Sequence, residues 1–553
     1  MLAASSSQPI QDAATRTETE KALAEIWALY LRSYAAESIP SNVPFFDLGG
    51  NSIAAVQIPS QIRKKWPDVT IPVSAISKNP TLQQLAGEID RSLNPVGLRL
   101  DAQAPETDDQ EEFYSNTLPE LIKEIPAKIQ SASRQSAKQQ TVFLTGATGF
   151  LGSYILRDLL SSGNKVIAHV RAKSTEDALQ RVQATCQAYG IWSDSWASNL
   201  ECVTGDLQEQ PLLGMQQDVY DRVAKEADVV IHNGAIVHWL KPFSSLKSAN
   251  VLSTISAIKL CATGKTKKMA FVSSTSALDS DHYVELSKNL IASGAAGVSE
   301  SDDMEGSRQG LTTGYGQGKW VSERLMEEAG RRGLVGSIIR AGYVLGDPKT
   351  GTTNTDDFLI RMLKGCVQVG SRPDITNTIN MVPVDHVARL VIATALNQPV
   401  APMVVCHVTG HPRLTFNQYL AALEAFGYEA PKVDFPAWRD AVESYVEQGK
   451  EEHALLGLYH MVTGDLPGST KAPELDDRNS AAALKADAAR SGQDFSAGSA
   501  VTEDIVGQYL SFLVARGFMP KPTKQGIKTL PESKITKEQV EALDRVGGRG
   551  GAA

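Results

Sequence analysis

Residues Thr141–Leu160 read TVFLTGATGFLGSYILRDLL: an apolar run of strand length, a glycine-rich turn, then apolar residues at helical spacing. Gly146, Gly149 and Gly152 stand in the order G-x-x-G-x-x-G. Glycines at such a turn let the backbone approach a pyrophosphate, and the helix start offers free N–H groups and a positive dipole end. A glycine triplet alone is also an ordinary tight turn. Here it closes a first strand and opens a helix, which is the context a dinucleotide site requires. The contacts expected on this turn are Gly146, Thr148, Gly149, Phe150, Leu151 and Gly152.

Downstream the pattern repeats. KVIAHV, LECVTG, DVVIHNGA, KMAFVSST and VGSIIRAGYVLG are further apolar strands separated by helical stretches. Alternation of this kind predicts an α/β Rossmann-type fold, parallel strands with helices on both faces. The second strand does not end in the acid that would bond a free ribose 2′-hydroxyl. Arg171 stands at its end and Lys173 just beyond; a guanidinium there suits a 2′-phosphate, so NADPH is expected over NADH. Arg181, on the next helix, is a second candidate for that phosphate. Asp206, ending the third strand, is placed near the adenine, and Asn233, Gly234 and Ala235, ending the fourth, beside the cofactor path. After Asp347 the regularity weakens, and helical runs such as NTDDFLIRMLKGC and EDIVGQYLSFLVARG predict a smaller C-terminal substrate lobe.

TTGYGQGKWVSERL sets Tyr315 and Lys319 four residues apart, on one helical face. A phenol with its ordinary pKa near 10 is a poor proton donor at neutral pH; an adjacent ammonium stabilises the phenolate. The pair can then exchange a proton with a carbonyl oxygen. A hydroxyl ending the preceding strand, in VSSTSAL, completes such a site: Thr275, with Ser274 and Ser276 as alternatives.

At 553 residues the chain exceeds one core, so several domains are expected. The N-terminal 18–95 stretch is of another kind, an all-α helical bundle. TETEKALAEIWALYL has apolar residues at helical spacing behind a threonine cap, and TLQQLAGEIDRSL is a further helix capped by Thr81. Between them FFDLGGNSIAAVQ places Ser52 behind Gly49 and Gly50 at the start of a helix. Such a serine is an ordinary N-cap, or the place where a phosphodiester meets the positive end of a helix. Acidic, proline-bearing DAQAPETDDQEE opens a linker expected over 96–138, and the reductase-type domain is expected over 139–553. The formal charge of −9 argues against a nucleic-acid or anionic-membrane partner. No apolar run is long enough for a membrane span, no secretory signal opens the chain, and five scattered cysteines show no metal-ligand spacing. A cytoplasmic protein with reduced, mostly buried thiols is expected.

The motifs resemble known families. The second half resembles an extended short-chain dehydrogenase/reductase. GATGFLG, VSSTSALD, SESDDMEGSRQGLTTGYGQGKWVSE, GYVLGDPKTG, NTDDFLIRMLKGC and NTINMVPVDHVARLV further resemble the thioester reductase domain of fungal α-aminoadipate reductases. DLGGNS resembles the 4′-phosphopantetheine attachment site of carrier domains, with Asn51 where His or Asp is usual. The resemblance implies that Ser52 carries the arm, loaded by a phosphopantetheinyl transferase, and that Thr275, Tyr315 and Lys319 are catalytic. NADPH would then reduce an acyl thioester on the arm and release an aldehyde, with L-α-aminoadipate and lysine biosynthesis the foremost assignment. Gly318 replaces the family's Ser or Thr, and RAGY replaces RPGY; neither removes a catalytic group. The adenylation domain that precedes the carrier in that family has no room here, so the chain is expected to be part of a larger enzyme or to be loaded in trans. A release module of a nonribosomal-peptide-like or aryl carboxylic acid reductase and a non-catalytic carrier or docking protein are the alternatives. For an acyl group with an ammonium and a carboxylate, Asp356, Asp357 and Arg361 are candidate pocket charges, though an acidic helix start explains them equally well.

Overall fold

The computed structural model describes residues 16–93 apart from short gaps, 114–132, 139–397 apart from 239–240, 402–448 and 453–546. They form two compact units: residues up to 111 together with 439–469, and residues 112–438 together with 470–553.

In the first unit, α1 (Glu18–Ala28) starts in a capping box in which Thr17 and Glu20 each bond the other's backbone N–H. It buries Leu23, Ile26 and Trp27; the Trp27 ring meets Phe45 edge-on at 4.8 Å. α2 (Ser52–Lys65) begins at Ser52, as the sequence leads one to expect, and α3 (Leu82–Leu93) follows Thr81, whose hydroxyl accepts from Gln84 N–H at 3.2 Å. The turn before α2 needs both its glycines. Gly49 has φ +91°, and a Cβ on Gly50 would stand 2.4 Å from the buried Phe45 ring. The Ser52 side chain lies outside the described residues. The chain returns to this unit at 439–469, where Leu456–Leu458 is a short 3₁₀ turn. That return differs from the expectation of one continuous reductase domain from 139 onward.

The second unit is built on a seven-stranded sheet: β1 (Thr141–Thr145), β2 (Lys165–Val170), β3 (Leu200–Thr204), β4 (Val229–His232), β5 (Lys268–Ser274), β6 (Val335–Ala341) and β7 (Met403–Val408). The order is β7-β6-β5-β4-β1-β2-β3, every pair parallel. Strand period two sorts the core: Val142, Leu144, Val166, Ala168, Ala270 and Val272 join one apolar cluster, while Phe143, Ile167, Met269 and Phe271 join the other. The order reverses between β1 and β4, so a crevice opens beyond their C-terminal ends. Among the helices, α4 (Phe150–Ser161) follows β1, α5 (Gly314–Arg331) carries Tyr315 and Lys319, α6 (Phe358–Val369) and α7 (Val384–Leu396) follow β6, and α8 (Glu503–Ala515) belongs to the C-terminal part.

Beyond Asp347, where the sequence places most of a smaller lobe, not every element belongs to that lobe: β7 is an edge strand of the main sheet, and α7 packs on α4. MVVCHV has the length and β-branched content of a strand, but neighbouring helical runs masked it. Nor is all of 96–138 a linker. Residues 114–132 pack on the reductase unit, with Tyr114 buried edge-on against Trp320 at 5.5 Å and bonded through its hydroxyl to Ser307 O. Leu121, Ile125 and Ile129 bury a helix-spaced apolar stripe there. The five cysteines are all buried and unpaired. Among the described residues no helix is long and apolar enough to cross a membrane.

Candidate functional site

The glycine turn is shaped for close approach. Gly146 has φ +73°, and a Cβ on Gly152 would stand 1.9 Å from Gly146 O. Gly149 is the N-cap of α4 and supplies no side-chain cap, which leaves the first N–H groups of the helix facing the crevice. Phe150 and Leu151 turn inward, Phe150 edge-on to Tyr154 and Tyr189, so both offer backbone rather than side chain to a phosphate. Thr148 is half-buried on the turn. From β4, Asn233 Nδ2 donates to Gly146 O at 3.3 Å and Gly234 N–H to Thr145 Oγ1 at 2.9 Å; Ala235 follows, half-buried. His232, bonded to Thr145 at 3.0 Å and to Ser253 at 3.2 Å, is driven by burial down to about 3 and is neutral.

At the end of β2 two guanidiniums converge. Arg181 Nη1 donates to Arg171 O at 2.7 Å, and burial together with the nearby Arg171 cation lowers its pKa. Arg171, about half-exposed, faces Asp206 only at 3.9 Å. Asp206 also accepts from Gln208 N–H at 2.9 Å, which fixes it beside this pair. Two adjacent cations with one distant carboxylate suit an anion. The bare Gly146–Gly152 cradle, the open helix start and this pair together fit a dinucleotide with a 2′-phosphate.

On the other side of β4 stand the candidate acid–base residues. Thr313 caps α5, its hydroxyl accepting from Gly316 N–H at 3.2 Å. One face of that helix then carries Tyr315, half-buried, and Lys319, 4% exposed. Lys319 Nζ donates to Val272 O at 2.6 Å and lies 4.8 Å from the Phe271 ring centre. Burial pushes its pKa down to about 8, with Glu323 holding it up. β5 ends in a 3₁₀ turn, Thr275–Leu278. Ser274 Oγ accepts from Ser276 N–H and donates to Ser276 Oγ, each at 3.1 Å. Both serines are thus committed to the turn, whereas no hydrogen bond engages the half-buried Thr275 hydroxyl among the described residues.

Three residues of this site escaped the sequence reading. Asn250, in a π-turn at Ser248–Leu252, clamps the chain beside the cofactor path: Oδ1 accepts from Ile236 N–H at 2.8 Å and Nδ2 donates to Ile236 O at 2.9 Å. Its own carbonyl accepts from Ser322 on α5 at 3.0 Å. Glu323, one turn beyond Lys319, pairs with Arg340 at 2.8 Å; both are 0% exposed. Ser273 donates to Glu323, and Arg340 donates to a neutral His407 at 3.0 Å. Helical spacing from Lys319 was the available signal for Glu323; nothing local marks Asn250 or Arg340. The three pocket charges fare differently. Asp357 caps α6 through Leu359 N–H at 2.9 Å, and Asp356 pairs with Arg361 at 2.5 Å, so both aspartates serve the helix start.

Residues 21–89 match the family "Phosphopantetheine attachment site", and residues 144–391 the NAD-binding family described as "Male sterility protein". The L-2-aminoadipate reductase large subunit of Penicillium chrysogenum is 53% identical over 97% of this chain and 39% of its own length. The L-2-aminoadipate reductase of Schizosaccharomyces pombe is 45% identical over 97% of this chain and 38% of its own. The chain thus spans about two fifths of the length of these curated relatives. Among solved structures, the terminal R domain of the myxalamid PKS-NRPS pathway is 28% identical with a TM-score of 0.64, over 74% of this chain and 99% of that one. A thiolation-reductase di-domain of an archaeal nonribosomal peptide synthetase shares the fold, with a TM-score of 0.65 at 20% identity over 91% and 98%. By sequence the chain is similar to about two fifths of the fungal L-2-aminoadipate reductases, and it matches both a phosphopantetheine-attachment family and an NAD-binding family.

Proposed function

We propose that this chain carries out NADPH-dependent reductive release of a carrier-bound acyl thioester as an aldehyde, and that the acyl group is L-α-aminoadipoyl, released as its semialdehyde for lysine biosynthesis. The carrier spans 18–95 and the reductase 139–553, with the added packing of 114–132 and the excursion at 439–469. A phosphopantetheinyl transferase attaches the arm to Ser52. An adenylating activity, in the same protein or in trans, loads the acid, and the reaction runs in the cytoplasm.

NADPH supplies the hydride when bound. The chain's own residues do the rest. Gly146, Gly149 and Gly152 admit the pyrophosphate to the start of α4, and Arg171 and Arg181 take the 2′-phosphate. Thr275 donates a hydrogen bond to the thioester carbonyl oxygen as negative charge grows there, and Tyr315 delivers a proton to the same oxygen. Lys319, held by Val272 O, keeps a positive charge beside the phenol.

The observation that supports this reading best is a Thr275 hydroxyl that no hydrogen bond engages among the described residues, on a turn packed against the helix of the Tyr315–Lys319 pair, in a chain that also matches a phosphopantetheine attachment family. The test is to phosphopantetheinylate the protein, load aminoadipate, add NADPH and identify the product. Aminoadipate semialdehyde with matching NADPH oxidation is expected. Alcohol, or no turnover of a loaded arm, removes the reading. In Ser52→Ala the arm-sized mass increase should vanish; if it persists, the arm is elsewhere.

A further inference from the structure

Glu323 and Arg340 form an ion pair that solvent does not reach. A buried pair adds little stability over apolar side chains of the same size, so stability alone is a poor account of it. Both carboxylate oxygens are fixed. Oε2 accepts from Arg340 Nε and Nη2, each at 2.8 Å, and Oε1 accepts from the Ser273 hydroxyl. Every guanidinium nitrogen is engaged in turn: Nη1 donates to His407 Nε2 at 3.0 Å, and Nη2 also reaches Met304 Sδ at 2.6 Å. His407 gives its Nδ1 proton to Asp476 O at 2.8 Å, which sets the tautomer that receives Arg340. Arg340 is thus the rear support of Glu323.

On the front side lies Lys319. Helix α5 carries Tyr315, Lys319 and Glu323 four residues apart on one face. Followed back along the helix, this face meets β5 at successive points. Glu323 takes Ser273, Lys319 Nζ donates to Val272 O at 2.6 Å, and a Cβ on Gly316 would stand 2.7 Å from Ser276 O. The same face is therefore tied to the strand that leads to Thr275. Lys319 is 4% exposed and forms no ion pair among the described residues. The titratable groups that face it are Tyr315 and Glu323 on its own helix and the neutral His232 from β4; β5 offers the Val272 carbonyl and the Phe271 ring. Around the pair itself, Glu327 on α5 and Tyr283, which is bonded to Asp302, also feel the Arg340 charge. A buried ammonium without a counter-charge gives up its proton, and Glu323 is the anion that this cluster supplies.

We infer that Glu323 is a positioning residue of the reductase: braced by Ser273 and Arg340, its carboxylate keeps the ammonium of Lys319 charged and in place beside Tyr315. The role rests on the acid–base pair proposed above, and Glu323 acts through Lys319. The brace matters because a carboxylate free to rotate would spread its charge over several positions, whereas one held at both oxygens keeps it at a fixed distance from the lysine.

The test is the pH profile of single-turnover NADPH oxidation between about pH 6 and 9.5. Substrates are the aminoadipoyl-loaded, phosphopantetheinylated chain and a free hexanoyl thioester of N-acetylcysteamine. Glu323→Gln keeps the shape but leaves Arg340 buried without its partner, so Glu323→Gln/Arg340→Met, which removes both charges, is measured beside it. NADPH titration by fluorescence reports that each variant is folded. The wild-type rate should fall through about pH 8, where Lys319 loses its charge. Either variant should move that fall down by about one pH unit, which slows reduction about fivefold at pH 8 and leaves it within about twofold near pH 6. A fall that stays near pH 8, with the rate reduced by one factor at every pH, makes Glu323 a support of the fold and overturns the assignment alone. A wild-type rate flat through pH 8 removes the charged lysine, and this assignment with it. Wild type that reduces the hexanoyl thioester but not the aminoadipoyl carrier removes the aminoadipate reading; a shifted fall on the hexanoyl thioester then still supports Glu323.

Discussion

The ammonium of Lys319 lies 5.6 Å from the centre of the Tyr315 ring. With its pKa pushed down to about 8, it is charged at neutral pH and loses that charge well before an ordinary lysine. Single-turnover reduction should therefore fall as pH rises through about 8. The folded value lies below the unfolded one, so the unfolded chain binds more protons between about pH 8 and 10.4. This site then adds stability as pH rises across that window. A rate that stays flat to pH 9.5 would exclude the charged lysine from the step.

Tyr315→Phe keeps the ring and deletes the hydroxyl. Turnover should drop by about two to four orders of magnitude with NADPH still bound, the usual range for a general acid. Thr275→Val should also slow turnover, whereas Ser276→Ala should act chiefly by loosening the turn. Comparable, large losses of turnover for the threonine and serine variants at unchanged thermal stability would reassign the role.

Arg171→Ala should weaken NADPH binding by about 1.5–3 kcal/mol, the value of a charge-assisted bond, and barely alter NADH. Fluorescence titration with both cofactors decides it. Equal losses would mean that Arg171 supports the turn and does not read the phosphate.

Gly318→Ala should stabilise the protein by up to about 1 kcal/mol. A Cβ there meets Asn250 and Val251 at 3.7 and 3.8 Å, ordinary contact distances. The same change at Gly316 would press within 2.7 Å of Ser276 O, and at Gly314 within 2.5 Å of Lys241 O. Thermal unfolding of the three variants should rank Gly318→Ala highest; a lower melting temperature for it than for wild type would show the helix already relaxed around glycine.

The sequence disclosed what depends on local pattern. Apolar runs between glycine turns located β1 to β6, and threonine caps located α1 and α3, because strand period and cap chemistry are local. β7 went unread, since a single apolar run among helical ones carries no label for the sheet it joins. Sequence favours Thr275 over Ser274 and Ser276 as the third partner, and the fold adds that the two serines hold one another. Asp356 and Asp357 are legible in the sequence as an acidic helix start, and the Asp357 cap and the Asp356–Arg361 pair fit that reading.

Asn250 holds two neighbours at once. Its side chain fixes Ile236 beside the cofactor path, and its carbonyl receives Ser322 from the helix of Tyr315. The hydride side and the proton side of the reaction therefore hang from one post. A strain that shifts the post carries both sides together and preserves their spacing, whereas a change that frees either side alone breaks alignment. Substitutions at this position are thus expected to be rare among working relatives.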